Sequence, residues 1–435
     1  MKTFKLISLM AVAGMALAAC GAPAAPTAAP IAAAKPTDAP KATTAPAAGG
    51  SAITIGLLTD RSGALAIYGP SVEQGFAIGL DYATKGTNKV AGKDIKVVTK
   101  DTASNADTGV TLAREAIEKD GAKILAGVPS SAVALAVSGV AKDNKIVYNS
   151  CPAATPDLTG KAFNEYTFRA GRTSIQDSLT MAGALMGMGK KFVQIAPDNA
   201  FGRGSAAGFY AVLKGMGANF VTNDNDKDTG TVFAPLETTD FTPYINQLLD
   251  SKAEVLIVTW AGAGFVPMFQ QMQQLGVFKA MTVATGMGDN ASMKAGYGTA
   301  AGAVGVSVYH YTLFKNAEND ALIAGTKAKY NGVPDLFSEC GFNAAVMLVK
   351  ALEATGGDTD AQKMIKALEG MKFNGPKGEY TVRPEDHVLL QPMPLVKLLN
   401  VTDPDFKFFE LVKLLSPTES APPCAVPAEL NRCKK

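Results

Sequence analysis

The strongest constraint in this sequence is an alternation that runs through the chain twice. From Ser51, short β-branched runs trade places with longer amphipathic stretches. ITIGLL (from Ile53) is followed by a helical spacing of Val72, Phe76 and Leu80, then IKVV (from Ile95) and a helix around Leu112, Ala116 and Ile117. KILAG, a helix after Ser131 and KIVYN complete the first series. Strands alternating with helices in one chain build a parallel sheet covered on both faces. The pattern restarts at KFVQIA (Lys191 to Ala196). It continues through a helix from about Gly202 to Met216, ANFV, a helix around Tyr244 to Leu249, EVLIVT, a helix from Phe265 to Leu275, and MTVAT. The expectation is an α/β chain of two similar lobes.

After Gly305 the order changes. VSVYHY reads as a strand, helices follow across 321–330, 342–354 and 361–371, and FNGPKGEYTV to PLVKLL reads as an antiparallel finish. The late helices need a sheet to cover, and the first lobe has a face to spare. The chain is therefore expected to return to lobe 1 and to cross back near Gln391 to Leu395. The expected boundaries are 51–171 and 311–391 for lobe 1, 172–310 and 392–412 for lobe 2, and 413–435 for a tail. Lobes joined by several crossings form a hinge, with strand ends facing a cleft where ligands bind.

The amino terminus carries Lys2 and Lys5, an apolar run from Leu6 to Ala19, and Leu17-Ala18-Ala19-Cys20. That run is short for a bilayer span, and its basic flank and small-residue exit fit a secretory signal over residues 1–19. The ending resembles a bacterial lipoprotein signal, which implies cleavage before Cys20, acylation of its thiol and an extracytoplasmic chain held to the membrane by lipid alone. Residues 20–50 are almost wholly Ala, Pro, Thr, Gly and Lys, a composition that buries no core and suits an extended tether. The chain has 41 Lys and Arg against 39 Asp and Glu, and cleavage would remove two lysines and leave it neutral. Neutrality argues against nucleic acid or an anionic membrane surface as partner.

Of five cysteines, Cys20 is assigned to lipid. Cys424 and Cys433 lie close together in a Pro-rich tail and are expected to pair, while Cys151 and Cys340 either pair or remain buried thiols.

Catalytic patterns are weak. His310 and His387 are the only histidines and lie far apart, and no metal or nucleophile-elbow spacing occurs. Gly202-Arg-Gly204-Ser-Ala-Ala-Gly208, with Asp224 downstream, has the outline of a dinucleotide loop. PDNAF, however, separates it from its strand, and its last glycine is one residue late. Asp224-x-Asp226-x-Asp228 begins like a calcium loop but has Pro235 where the closing glutamate belongs. No cofactor or metal is expected. Gln270, Gln271, Gln273 and Gln274 read as the polar face of a helix.

The informative stretch is Gly127 to Thr155, GVPSSAVALAVSGVAKDNKIVYNSCPAAT. Two consecutive strands deliver Ser130, Ser131 and Thr155 to one sheet edge, with a helix opening on the serines. Free amides and the positive dipole end there suit a carboxylate, although the same serines are also ordinary helix caps. Tyr68, Phe201, Trp260 and Tyr309 each fall at or beyond a strand's carboxyl end and are read as walls for an apolar ligand.

Together these stretches resemble the periplasmic solute-binding proteins of ATP-driven importers, of the leucine/isoleucine/valine-binding type. The resemblance spans roughly Ile53 to Leu399. It rests on GLLTDRSGALAIYGPSVEQGFAIGLDYA, KDTASNADTGVTLAREAIEKDGAKILAGVPSS, PAATPDLTG, APDNAFGRG and FNAAVMLVKALEATGG. It implies two Rossmann-like lobes joined by three hinge strands and closing over a small ligand. The ligand carboxylate would rest on Ser131 and Thr155, with backbone contact at Ala153. Tyr68, Phe201, Trp260, Ala261 and Phe337 would provide apolar contacts. One departure stands out: such proteins carry an acid for the ligand ammonium after the strand here reading MTVATG. Gly286 or Met287 falls there, and Asp289 is the nearest acid.

The implied function is an extracytoplasmic binding protein, expected to be a monomer and not an enzyme, that delivers a branched-chain or other apolar amino acid to a membrane permease. Kept beside it are an aromatic or aliphatic carboxylate or amide without an ammonium group, a ligand sensor on the same fold and, remotely, a dinucleotide-dependent enzyme.

Overall fold

A computed structural model describes residues 52–221, 226–298 and 300–433, which form one compact unit. The signal segment, the tether, Cys20 and Asp224 lie outside the described residues.

The first half-chain builds a six-stranded sheet in the order Lys89–Val90, Lys93–Asp101, Ile53–Thr59, Ile124–Gly127, Val147–Ser150, Thr167–Arg169. Its neighbours run parallel except for the short first strand. Ile53–Thr59 is buried along its whole length, as a central strand covered on both faces must be. On one face lie Ala106–Glu118 and Ser131–Asn144. On the other, Gly69–Ala83 packs against the late helix Ser338–Ala354. Their close approach follows from missing side chains: a Cβ on Gly75 would stand 2.0 Å from Ser338 O, and one on Gly341 2.1 Å from Val72 O.

The second sheet has five strands: Thr282–Thr285, Val255–Val258 and Lys191–Pro197 in a row, with Asn219–Phe220 and Thr231–Ala234 both parallel to Lys191–Pro197. Thr231–Ala234 is an element the periodicity did not announce. The VSVYHY reading needs correction, because the strand there is Val304–Val306. It runs antiparallel to Met393–Leu398, which pairs in turn with Phe409–Leu415. Beyond it the chain passes from one core to the other, Val306 packing with residues of the second sheet and Val308 and Tyr309 with those of the first.

Val308 lies on that passage and Gln391 just before the strand Met393–Leu398, and one buried cation ties them. Lys377 Nζ donates to Val308 O at 3.0 Å and to Gln391 Oε1 at 2.6 Å, and stands 3.7 Å from Glu339 Oε1. Glu339 also accepts from Tyr380 OH at 2.5 Å and from Asn343 at 2.6 Å. A buried ion needs such partners to offset its desolvation.

Cys151 bonds to Cys340, joining the end of a lobe 1 strand region to the late helix, and Cys424 bonds to Cys433. The tail beyond Leu415 returns to lobe 1. Ser420 Oγ donates to Gln391 O, Arg383 to Pro422 O, and Arg432 to Glu369 and to the carbonyls of Glu385 and Pro384. Among the described residues no helix is long and apolar enough to cross a membrane.

Candidate functional site: a closed cleft between two sheets

The Ser130 turn is held from below by a buried acid at the end of the first strand. Asp60 accepts from Thr102 Oγ1 at 2.5 Å, from Ser104 N–H at 2.8 Å and from Ser130 N–H at 3.2 Å. Burial pushes its carboxyl above the usual carboxylate range while these donors pull it back. Ser130 Oγ accepts from Val133 N–H at 3.4 Å and so caps the helix Ser131–Asn144. The bonds that tie the turn leave the Ser131 and Ala132 amides, which belong to the first helical turn and have no intrahelical acceptor. Ser130, Ser131 and Ala132 all line the same cavity. The serines therefore cap a helix and also face the cleft.

That cavity measures about 130 Å³. An apolar cavity of ~150 Å³ is enough to hold one benzene ring. Leu65, Tyr68 and Phe337 wall it from lobe 1, and Phe201, Trp260 and Phe265 from lobe 2. Tyr68 and Phe337 meet edge to face at 4.9 Å, and Trp260 meets Phe241 in the same way at 5.1 Å. Ala261 also lines it.

Three buried polar atoms of lobe 2 residues lining the cavity have no hydrogen-bond partner: Ser205 Oγ, Trp260 Nε1 and Asp289 Oδ2. Asp289 caps a short helix through its other oxygen, which accepts Ser292 N–H at 3.0 Å. A half-satisfied buried carboxylate is costly unless a cation or donor completes it. Lobe 1 contributes a helix start with spare donors, and lobe 2 contributes an acid with a spare acceptor.

Arg172 and Asp177 also line the cavity and had no sequence-level role. They pair at 3.2 Å, Arg172 donates to Pro152 O at 3.3 Å, and its guanidinium lies 5.8 Å from the Phe337 ring centre. Burial raises the Asp177 carboxyl, and Arg172 opposes the shift. Charge after a strand was the available signal: AGRTSIQD directly follows the strand Thr167–Arg169.

The lobes touch directly across the cleft. Gly262 N–H donates to Tyr68 Oη at 2.9 Å, Ala263 N–H to Ala64 O at 3.3 Å, and Asn290 N–H to Asp335 Oδ1 at 3.0 Å. Gly204 sits so near Pro156 that a Cβ would stand 2.7 Å from its ring. The cleft is closed.

Three expected positions fall elsewhere. Thr155 stands behind the cavity wall, its N–H donating to Ser131 Oγ at 3.2 Å and its Oγ1 accepting from Asp157 N–H. Ala153 has both backbone groups occupied, its N–H by Val128 O and its carbonyl by Arg169; Pro152 and Ala154 line the cavity on either side of it. Tyr309 is not a wall: its hydroxyl donates to Asn319 and its ring stacks on Phe314 in the lobe 1 core.

The glycines Gly202, Gly204 and Gly208 lie inside the helix Ala200–Gly215, which starts earlier at its Asn199 cap. They give close packing, with Gly208 against Ile175 and Ser178, and form no loop at a strand end. Gln271 is not simply surface: it holds Phe241 N–H at 2.6 Å and Thr239 O at 2.8 Å.

Two sheets, several crossings and a closed cavity between strand ends define a two-lobed ligand-capture protein. The match to known proteins agrees in kind: residues 52–402 fit the family described as periplasmic binding protein, and the chain belongs to it. Relatives include the Leu/Ile/Val-binding protein homolog 6 of Brucella suis, 26% identical over 374 residues, covering 81% of this chain and 88% of that one. The homolog 3 of Brucella melitensis is 28% identical over 329 residues, covering 74% and 84%. Among solved structures, an ABC-type branched-chain amino acid transporter protein from Rhodopseudomonas palustris is 34% identical. It has a TM-score of 0.70 and covers 88% of this chain and 100% of that one. A solute-binding protein of the same species in complex with 3,4-dihydroxybenzoic acid shares the fold at a TM-score of 0.73 and 24% identity, covering 84% and 98%.

Proposed function

We propose that the chain captures an apolar α-amino acid for a membrane permease of the ABC type, from an extracytoplasmic position held by acylated Cys20. The observation that carries the ligand class is the opposition of the Ser131 helix start and the unpartnered Asp289 Oδ2 across one small aromatic-walled cavity. A ligand carboxylate accepts the Ser131 and Ala132 amides, an ammonium meets Asp289, and a branched or single-ring side chain lies among Tyr68, Phe201, Trp260, Ala261 and Phe337. Ligand contact with both lobes is what shifts the balance between open and closed forms. The reading includes no covalent step.

Asp289 takes the role that the sequence left without an owner, lying a few residues beyond the position where the ammonium acid was expected. A second reading, an aromatic carboxylate without an amine, is favoured by the ring-lined walls alone. Titration calorimetry with leucine, isoleucine, valine and phenylalanine beside their deaminated acids separates the two. Binding of the amino acids supports the first reading, and binding of the acids alone replaces it with the second. Incorporation of labelled palmitate that is lost in Cys20→Ser tests the anchor.

A further inference from the structure

Beside the acid that lines the cavity stands a second, half-buried carboxylate that no motif announced. Asp335 belongs to the lobe 1 segment before the helix Ser338–Ala354. Its Oδ1 accepts Leu336 N–H of its own lobe at 2.7 Å and Asn290 N–H across the cleft at 3.0 Å. Asn290 directly follows Asp289. Closing the lobes therefore brings two carboxylates, one from each lobe, onto the same helix end.

The local charges do not balance. Arg172, Asp177 and Asp289 are the charged residues that line the cavity, and Arg172 and Asp177 satisfy each other. The other titratable groups facing Asp335 are Asp289 and the phenols of Tyr68 and Tyr309, so no described cation neutralises the pair. Like charges in a partly desolvated site repel more strongly than in open water.

We propose that Asp335 is a positioning residue that makes closure of the cleft conditional on positive charge in the ligand. The proposal rests on the amino-acid reading of the site. An ammonium at Asp289 Oδ2 offsets the repulsion between the two acids, and the Asp335 to Asn290 bond can then hold the lobes together. A ligand that brings a carboxylate and no amine leaves both acids uncompensated. It fits the cavity in shape but is held in a form the protein resists closing.

Burial, with Asp289 beside it, pushes the Asp335 carboxyl up to about 6. The sign follows. Above that value Asp335 is charged and the repulsion is complete; below it, Asp335 takes up a proton and an amine-free acid is no longer penalised. Affinity for such acids should rise as pH falls through this range, while affinity for amino acids stays nearly flat.

The test is titration calorimetry on the full chain, its Asp335→Asn and its Asp289→Asn variants, using leucine, phenylalanine, 4-methylpentanoate and 3-phenylpropanoate at about pH 7.5 and about pH 5. Asparagine keeps the Oδ1 acceptor for Asn290. In Asp335→Asn, the amine-free acids should gain affinity at the higher pH by roughly tenfold, with the amino acids changed by less than about threefold and the pH trend gone. The wild-type pH trend needs no variant and reads the same coupling. If Asp289→Asn weakens the amino acids while Asp335→Asn leaves both the acid-to-amino-acid ratio and the pH trend as in wild type, the proposal falls and the amino-acid reading stands. If only the amine-free acids bind to wild type, both fall.

Discussion

Gly262→Ala is the sharpest test of the closed cleft. Gly262 lies at φ +83, and a Cβ there would stand 2.3 Å from Ala64 O of the opposite lobe. Carbon and oxygen need more than 3 Å, so the lobes would have to part by about 1 Å at this point. Parting breaks the bonds from Gly262 N–H to Tyr68 Oη and from Ala263 N–H to Ala64 O. At ~1 kcal/mol each, their loss raises the cost of closure by about 2 kcal/mol. That corresponds to roughly 30-fold in Kd, before any residual overlap is counted.

The left-handed backbone conformation adds a separate cost of ~1 kcal/mol, but it falls on open and closed forms alike. It should lower the ligand-free melting temperature slightly and leave the affinity ratio alone. Calorimetry gives the Kd, and small-angle scattering with and without saturating ligand gives the compaction on binding. Wild-type affinity with full compaction would mean that the Gly262 to Ala64 contact is no part of the bound form, and the closure argument would be wrong.

Three further perturbations probe the framework. Asp60→Ala removes the acceptor of three donors, Thr102, Ser104 and Ser130. It should cost about 3 kcal/mol in chemical denaturation and weaken ligand binding through the loosened Ser130 turn. Lys377→Met strands Glu339 and unties Val308 from Gln391, so ~3 to 5 kcal/mol of stability should be lost, with a matching fall in melting temperature.

Glu369 is held down to about 2 by the His387 hydrogen bond and by Arg432. A depressed carboxyl contributes stability that is complete above its unfolded value and is lost as pH falls through the folded one. Melting curves between about pH 5 and about pH 2 should therefore drop less steeply for Glu369→Gln than for wild type.

The parallel sheets were legible because buried strands read as short β-branched runs and their helices kept a clear period. Val255–Val258 and Ile124–Gly127 are fully buried and fall where the runs EVLIVT and KILAG do. That late helices would be needed to cover the first sheet was legible in its uncovered face, which Ser338–Ala354 helps to fill by packing on Gly69–Ala83. Thr231–Ala234 was missed because it is short and follows an acidic turn, so no long apolar run marks it. Tyr309 was misplaced because position after a strand says nothing of side-chain direction once the strand ends early at Val306.

In the site, Ser130, Ser131, Tyr68, Phe201, Trp260, Ala261, Asp289 and Phe337 meet at one cavity. Thr155 and Ala153 lie behind it because their polar groups bond to Ser131, Asp157, Val128 and Arg169. Arg172 left a local signal in its spacing to Asp177 that went unread, whereas Asp335 gains its place only when distant segments are packed together. Asp335 gains its main cross-cleft partner only when the lobes are closed.

The return of the tail to lobe 1 has a practical side for anyone wishing to watch this protein work. The described chain begins beside Ile53, in the sheet of one lobe, and Arg432 near its other end is fixed to Glu369 of that same lobe. Fluorophores attached near Ile53 and near Arg432 would ride on one and the same lobe and report almost nothing when ligand arrives. A distance sensor needs one probe inserted in the other half, for instance at the exposed Leu275 after the helix Phe265–Gln274.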